Sequence, residues 1–155
     1  MKIKNKFIMV ALVWICQTSL ASDEVVFQPV DALFLAMSNV DHAKMKAAVT
    51  KDFILLEHGE VWTIEDLMAA VKPSEYKRTN YFSVIGVHSQ ADMAWINYWN
   101  KANFDNNEVS QDVVWLESVV VVQDQGVWKL AQMHSTRLDP NKVPADIAFI
   151  KQQVE

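Results

Sequence analysis

Residues 111–138 read Gln-Asp-Val-Val-Trp-Leu-Glu-Ser-Val-Val-Val-Val-Gln, then Asp124-Gln125-Gly126, then Val-Trp-Lys-Leu-Ala-Gln-Met-His-Ser-Thr-Arg-Leu. Two long runs rich in Val and Trp, separated by a Gln-Gly turn, predict an antiparallel hairpin. The same texture extends upstream. Tyr81–Ser89 and Met93–Phe104 are rich in Val, Ile, Trp and Tyr, and Gln90-Ala91-Asp92 and Asp105-Asn106-Asn107 supply turn residues between the runs. Four long strands in a meander are therefore expected from Tyr81 onward.

Ahead of the strands the apolar spacing is helical. Leu33, Phe34, Met37, Val40, Met45 and Ala48 recur at threes and fours, predicting a first helix over Asp31–Val49, with Pro29 compatible with an earlier start. Asp52–Glu57 is a short apolar run stopped by His58-Gly59 and reads as a strand. Thr63-Ile64-Glu65-Asp66 carries an acid at the third helical position, the signature of a second, short helix that Pro73 ends. Ala145–Val154 predicts a final short helix. Helices first and a strand meander after them is an α+β order, with helices covering one face of a curved antiparallel sheet.

The chain has 155 residues, 51% hydrophobic and 21% charged, with 3 Gly and 4 Pro, which suits one folded domain rather than a disordered or collagen-like chain. Lys2, Lys4 and Lys6 precede an apolar run from Phe7 to Cys16, and Ser19-Leu20-Ala21 offers small residues for cleavage. The run is too short to span a bilayer and predicts a signal peptide over 1–21, leaving a single domain over 22–155 in the periplasm or secreted. Removing it leaves 11 basic against 19 acidic residues and no cysteine. That balance argues against a nucleic-acid partner, against disulfide or thiol chemistry, and against a membrane role after cleavage.

The element order, Asp52-Phe53 opening a strand, the aromatic-rich strands, and Gly126-Val127-Trp128-Lys129-Leu130 followed by Met133-His134-Ser135 resemble the nuclear transport factor 2-like superfamily, specifically its SnoaL-like secreted branch. The resemblance covers roughly residues 30–138. It implies a cone, a bent sheet wrapped around helices with a pocket at its wide end, commonly in dimers. It does not imply one reaction, because such cones host isomerases, dehydratases, cyclases and non-catalytic binding or assembly modules. The aspartate base and the tyrosine and protonated-aspartate donors of the ketosteroid isomerases have no clear counterparts here; Tyr98 could act as a donor, without an obvious acid partner.

With Gln125-Gly126 as a two-residue loop, residue numbers summing to 251 face each other, so Glu117 meets His134, and Trp115 meets Thr136. A carboxylate beside an imidazole makes an acid/base pair, and Glu117 and His134 are the candidate catalytic residues. A one-residue change in register would turn His134 to the other face. Arg137 has odd parity relative to His134, and only a bulge would bring both into one pocket, where Arg137 could clamp a carboxylate. Trp95, Asn97 and Trp99 share one face of their strand, and Ile96, Tyr98 and Asn100 the other; either set could line a pocket. Trp115, Asn97, Tyr98, Arg137 and Glu57 are the candidate ligand-binding residues. Glu57-His58-Gly59-Glu60 lacks the spacing of a metal motif, His42 and His88 read as surface residues, and no phosphate loop, dinucleotide fingerprint or cofactor motif occurs. The function expected is binding of a small apolar molecule with cofactor-independent acid/base chemistry. The alternative is a homodimerisation or protein-interaction module built on the aromatic sheet faces.

Overall fold

The computed structural model describes residues 22–153. The expected signal peptide and the last residue of the expected C-terminal helix lie outside the described residues. Helix α1 spans Asp23–Ser38, capped by the Ser22 side chain, which accepts from Val25 N at 3.4 Å. Helix α2 spans His42–Ala47 and is capped by Asp41, which accepts from Lys44 N. The single helix expected over 31–49 is thus two. Val40 adopts φ 54° between them, and the Asp41 cap starts a new helix with its own axis. Pro29 lies inside α1 rather than at its start.

Strand β1 spans Val49–Glu57 and β2 spans Glu60–Trp62, joined by His58 (φ 51°) and Gly59 (φ 81°). Two successive positive φ values match the twist of a tight hairpin, so the expected strand stop is also a return. Helix α3, Ile64–Ala70, starts on the anticipated capping box: Asp66 N donates to Thr63 Oγ1, and Thr63 N donates to Asp66 Oδ2. The meander follows as β3 (Lys77–Gln90), β4 (Met93–Asp105), β5 (Ser110–Asp124) and β6 (Val127–Arg137). The C-terminal helix does not form. A short 3-10 helix at Pro140–Lys142 leads to β7, Ile150–Lys151, on the edge of β3.

The sheet order is β2-β1-β6-β5-β4-β3-β7, antiparallel throughout except β1 with β6. The helices pack into its inner face, where Val26, Val30, Leu33 and Phe34 of α1 join Ile96, Tyr98, Val119, Val121, Leu130 and Met133 in the core. Phe27 makes edge contacts with Phe82 and Tyr98, with centroids 5.4 Å away in each case. No described helix is long and apolar enough to cross a membrane.

The β5–β6 register decides which residues face inward. Near the turn, Asp124 pairs with Val127 and Val121 with Leu130, as a two-residue loop requires. Between Val121 and Val120 the ladder slips, so Val120 pairs with Gln132 and Ala131 is left over as a bulge. Beyond it Glu117 pairs with Ser135, and His134 pairs with Ser118. One extra residue reverses the parity of everything after it. The expected Glu117–His134 pairing therefore does not form, and His134 is exposed on the outer face.

Candidate functional site

At the wide end, helices α1 and α3, the β1–β2 hairpin and the ends of β3–β6 enclose a cavity of about 200 Å³. Its apolar wall includes Phe34, Met37, Leu55, Trp62 and Leu67; Trp115 faces them from β5. Its polar groups are Glu117, Asn100, Ser135, Arg78, Arg137, Glu57 and His58. At about 30 Å³ for each water in the liquid, the space equals six or seven waters, enough for a compact ligand.

Glu117 sits on the inner face because β5 alternates and Trp115, Glu117 and Val119 share one side. It is 5% exposed. Ser135 Oγ donates to its Oε1 at 2.9 Å and Asn100 Nδ2 donates to the same oxygen at 3.4 Å, while Oε2 has no partner. Burial raises its pKa to about 7, opposed by the polar neighbours and more weakly by Arg78. Tyr98 lies directly opposite on β4, fully buried. Its hydroxyl influences the carboxyl but fails the geometry of a hydrogen bond, leaving Oη unpartnered. Burial first, then the Glu117 charge, holds the Tyr98 hydroxyl well above its ordinary pKa.

Arg78 reaches the cavity from the start of β3. Its guanidinium lies 5.4 Å from the Phe34 ring centre, 5.6 Å from Phe104 and 6.0 Å from Trp115. Burial lowers its pKa to about 10, with Glu117 pulling the other way, so it stays charged at neutral pH. Rings at this distance stabilise the cation without consuming its N–H donors. Its Nε donates to Asn80 Oδ1 at 2.7 Å, and among the described residues no carboxylate comes within 4 Å of it.

Of the residues singled out in the sequence, Glu117, Trp115, Arg137 and Glu57 meet at this cavity, and Tyr98 lies against Glu117. Arg137 shares the inner side with Glu117 because the Ala131 bulge has already reversed the strand. Glu57 stands at the rim, 3.0 Å from His58 Nε2. Asn97 does not join them: it pairs with Ser118 on the outer face, as His134 does. Sequence reasoning missed Arg78 and Ser135 as site residues. The signal for Arg78 was the alternation Arg78, Asn80, Phe82 on one face, hidden because the strand was expected to begin only at Tyr81.

No protein-family model matches the chain, and no curated protein does. Solved structures do match. A nuclear transport factor 2-like protein from Cytophaga hutchinsonii superposes with a TM-score of 0.64 at 17% identity, over 77% of this chain and 100% of that one. The fold is that of the nuclear transport factor 2-like proteins. Within that fold, a ketosteroid isomerase-like protein from Erwinia carotovora matches at TM-score 0.58 and 17% identity, covering 76% of this chain and 96% of that one. The calcium/calmodulin-dependent protein kinase II hub homology domain from Chlamydomonas reinhardtii matches at 0.67 and 15%, covering 75% and 98%. The nuclear transport factor 2-like cone thus hosts proteins described as enzyme-like and as hubs, and the residues of the cavity must distinguish them here.

Proposed function

We propose that this chain binds a small, largely apolar carboxylate in the cavity and that Glu117 exchanges a proton beside it without a cofactor. The observation that carries this reading is that Arg78 and Glu117 line one apolar cavity without touching each other. A guanidinium held by rings keeps free donors suited to a bidentate carboxylate. Arg137 adds a second cation at the mouth, and Trp115 and Trp62 offer flat apolar contact. Glu117, half ionised near neutral pH, can give or take a proton where the ligand sits. The lysine-led apolar run Phe7–Cys16, with small residues at Ser19 and Ala21 for cleavage, supports an exported setting.

Benzoate titrated against tryptophan emission tests the reading. Binding is expected to be saturable and to weaken by up to about tenfold from pH 6 to pH 8, because ionised Glu117 repels the anion and its pKa is about 7. Glu117→Gln should bind with no such pH dependence, and Arg78→Ala should lose at least about tenfold in affinity, roughly 1.4 kcal/mol.

A second reading is supported by the outer sheet face, where Trp95 is 42% and Leu116 38% exposed and His88 stacks on Trp95 with centroids 4.9 Å apart. Such a face suits self-association, as the hub neighbours suggest by description. Absence of benzoate binding, together with a dimer that Trp95→Lys dissociates in sedimentation, would favour that reading.

A further inference from the structure

The C-terminal segment reaches the cavity through a chain of hydrogen bonds. Ile150 and Lys151 pair with Phe82 and Tyr81 on the β3 edge, and Gln152 N donates to Asn80 O at 2.9 Å. The Gln152 side chain then turns inward and is 8% exposed. Its Nε2 donates to Asp31 O at 2.7 Å and contacts Asp31 Oδ1 at 3.2 Å, tying it to α1. Its Oε1 accepts from Asn80 Nδ2 at 2.8 Å. The same Nδ2 lies 2.8 Å from Ser38 Oγ and 3.2 Å from Phe34 O. With its amide nitrogen held from three sides, Asn80 is fixed in one orientation, which points Oδ1 at Arg78 Nε, 2.7 Å away.

The economy of these contacts is informative. A two-residue edge strand adds little stability by itself, yet it carries a buried glutamine into the interior. Buried amides are costly unless satisfied, and this pair satisfies each other while leaving one oxygen for the guanidinium. Among the described residues, that oxygen is the one hydrogen-bond acceptor Arg78 uses. Rings attract a cation but set its rotation weakly; the Nε bond sets it.

Resting on the carboxylate-binding reading above, we propose that Asn80 and Gln152 are positioning residues for the ligand: docking of the C-terminal segment orients the Arg78 guanidinium in the cavity. The segment is then a working part of the pocket wall, and releasing it loosens the anion site without touching any cavity residue.

The experiment compares wild type, Gln152→Ala, Asn80→Ala and Lys151→Ala by benzoate titration and by the side-chain Nε–H resonance of Arg78 in nitrogen-edited NMR, with melting checked for each. Expected are a fivefold or greater loss of benzoate affinity and loss or broadening of the Arg78 Nε–H signal in Gln152→Ala and Asn80→Ala. Lys151→Ala, exposed on the same edge strand, should change neither. In an Arg78→Ala background, Gln152→Ala should cost no further affinity, which separates orientation of Arg78 from general weakening of the fold. A Gln152→Ala protein with an unchanged Arg78 signal and unchanged affinity overturns the proposal. If wild type binds no benzoate, the pocket reading fails by itself, and the relay stands or falls on whether the Arg78 signal depends on Gln152.

Discussion

Glu117→Gln raises the melting temperature at pH 8 by on the order of 10 °C and leaves it nearly unchanged at pH 4. The sign follows from burial. The folded-state pKa of Glu117 is about 7 against an ordinary 4.5, so the folded protein holds the proton more tightly than the unfolded chain between those values. Stability from this group is fully present below about pH 4.5, falls as pH rises, and is lost above 7. A separation of that size corresponds to about 3 kcal/mol, and several degrees accompany each kcal/mol in a domain of this size. Asp31, also raised by burial, acts in the same direction but remains in both proteins, so comparing variant with wild type isolates Glu117. Exposed Asp41, Glu65 and Asp66, with pKa values lowered mainly by hydrogen bonds, act with the opposite sign at lower pH and also cancel in the comparison. Thermal melts of both proteins from pH 4 to 8 check this; parallel curves would mean Glu117 is not held protonated. A cost of this size, retained on the floor of a cavity, is the kind of expense associated with a functional group.

Deleting Ala131 together with Gln132 abolishes folding or leaves a protein that melts tens of degrees lower, whereas deleting Ala131 alone only straightens the bulge and keeps the β5 partners on both sides of it. Without Ala131 alone, Gln132 follows Leu130 and still faces Val120, so Glu117 stays opposite Ser135; with Gln132 gone as well, Met133 meets Val120 and residues 133–137 exchange faces. Met133 and Ser135, now 3% and 4% exposed, would in the double deletion turn outward, and His134 and Thr136 would turn into the core. Losing a buried Met costs about 2–5 kcal/mol, and each unsatisfied buried polar group about 1–3 kcal/mol more. Together these approach the whole stability of a domain, about 5–15 kcal/mol. Circular dichroism melts of the two variants decide it. A double-deletion protein melting within a few degrees of wild type would show that the register is pinned elsewhere, for instance in β1, whose ladder to β6 slips between Val49 and Ile54.

The meander was legible because turn chemistry is local. Gln125 and Gly126, at φ 53° and 81°, form the short loop that their sequence demands. The capping box at Thr63–Asp66 was readable for the same reason. Which residues face the cavity was not legible, because parity depends on a bulge that answers to packing against β1, far away in sequence. Thus Glu117 lines the cavity, but its neighbour is Ser135 rather than His134. Arg78 escaped notice because its flanking residues are polar, and β7 because a two-residue strand has no periodicity to read. Both depend on partners brought in by the fold.

Both outermost strands of the sheet are stubs: β2 spans Glu60–Trp62 and β7 only Ile150–Lys151. Both longer strands next to these edges are irregular: the β1 ladder to β6 slips between Val49 and Ile54, and the β3 ladder slips at Ile85, between Val84 and Gly86. A strand from another molecule therefore meets no long straight row of free N–H and C=O groups, the template that runaway fibre growth requires. Even with Val84 and Ile85 49% and 56% exposed at that kink, main-chain recruitment is blunted. Self-association of the kind proposed as the second reading is thereby left to side chains on the outer face, a mode of meeting that dilution can undo.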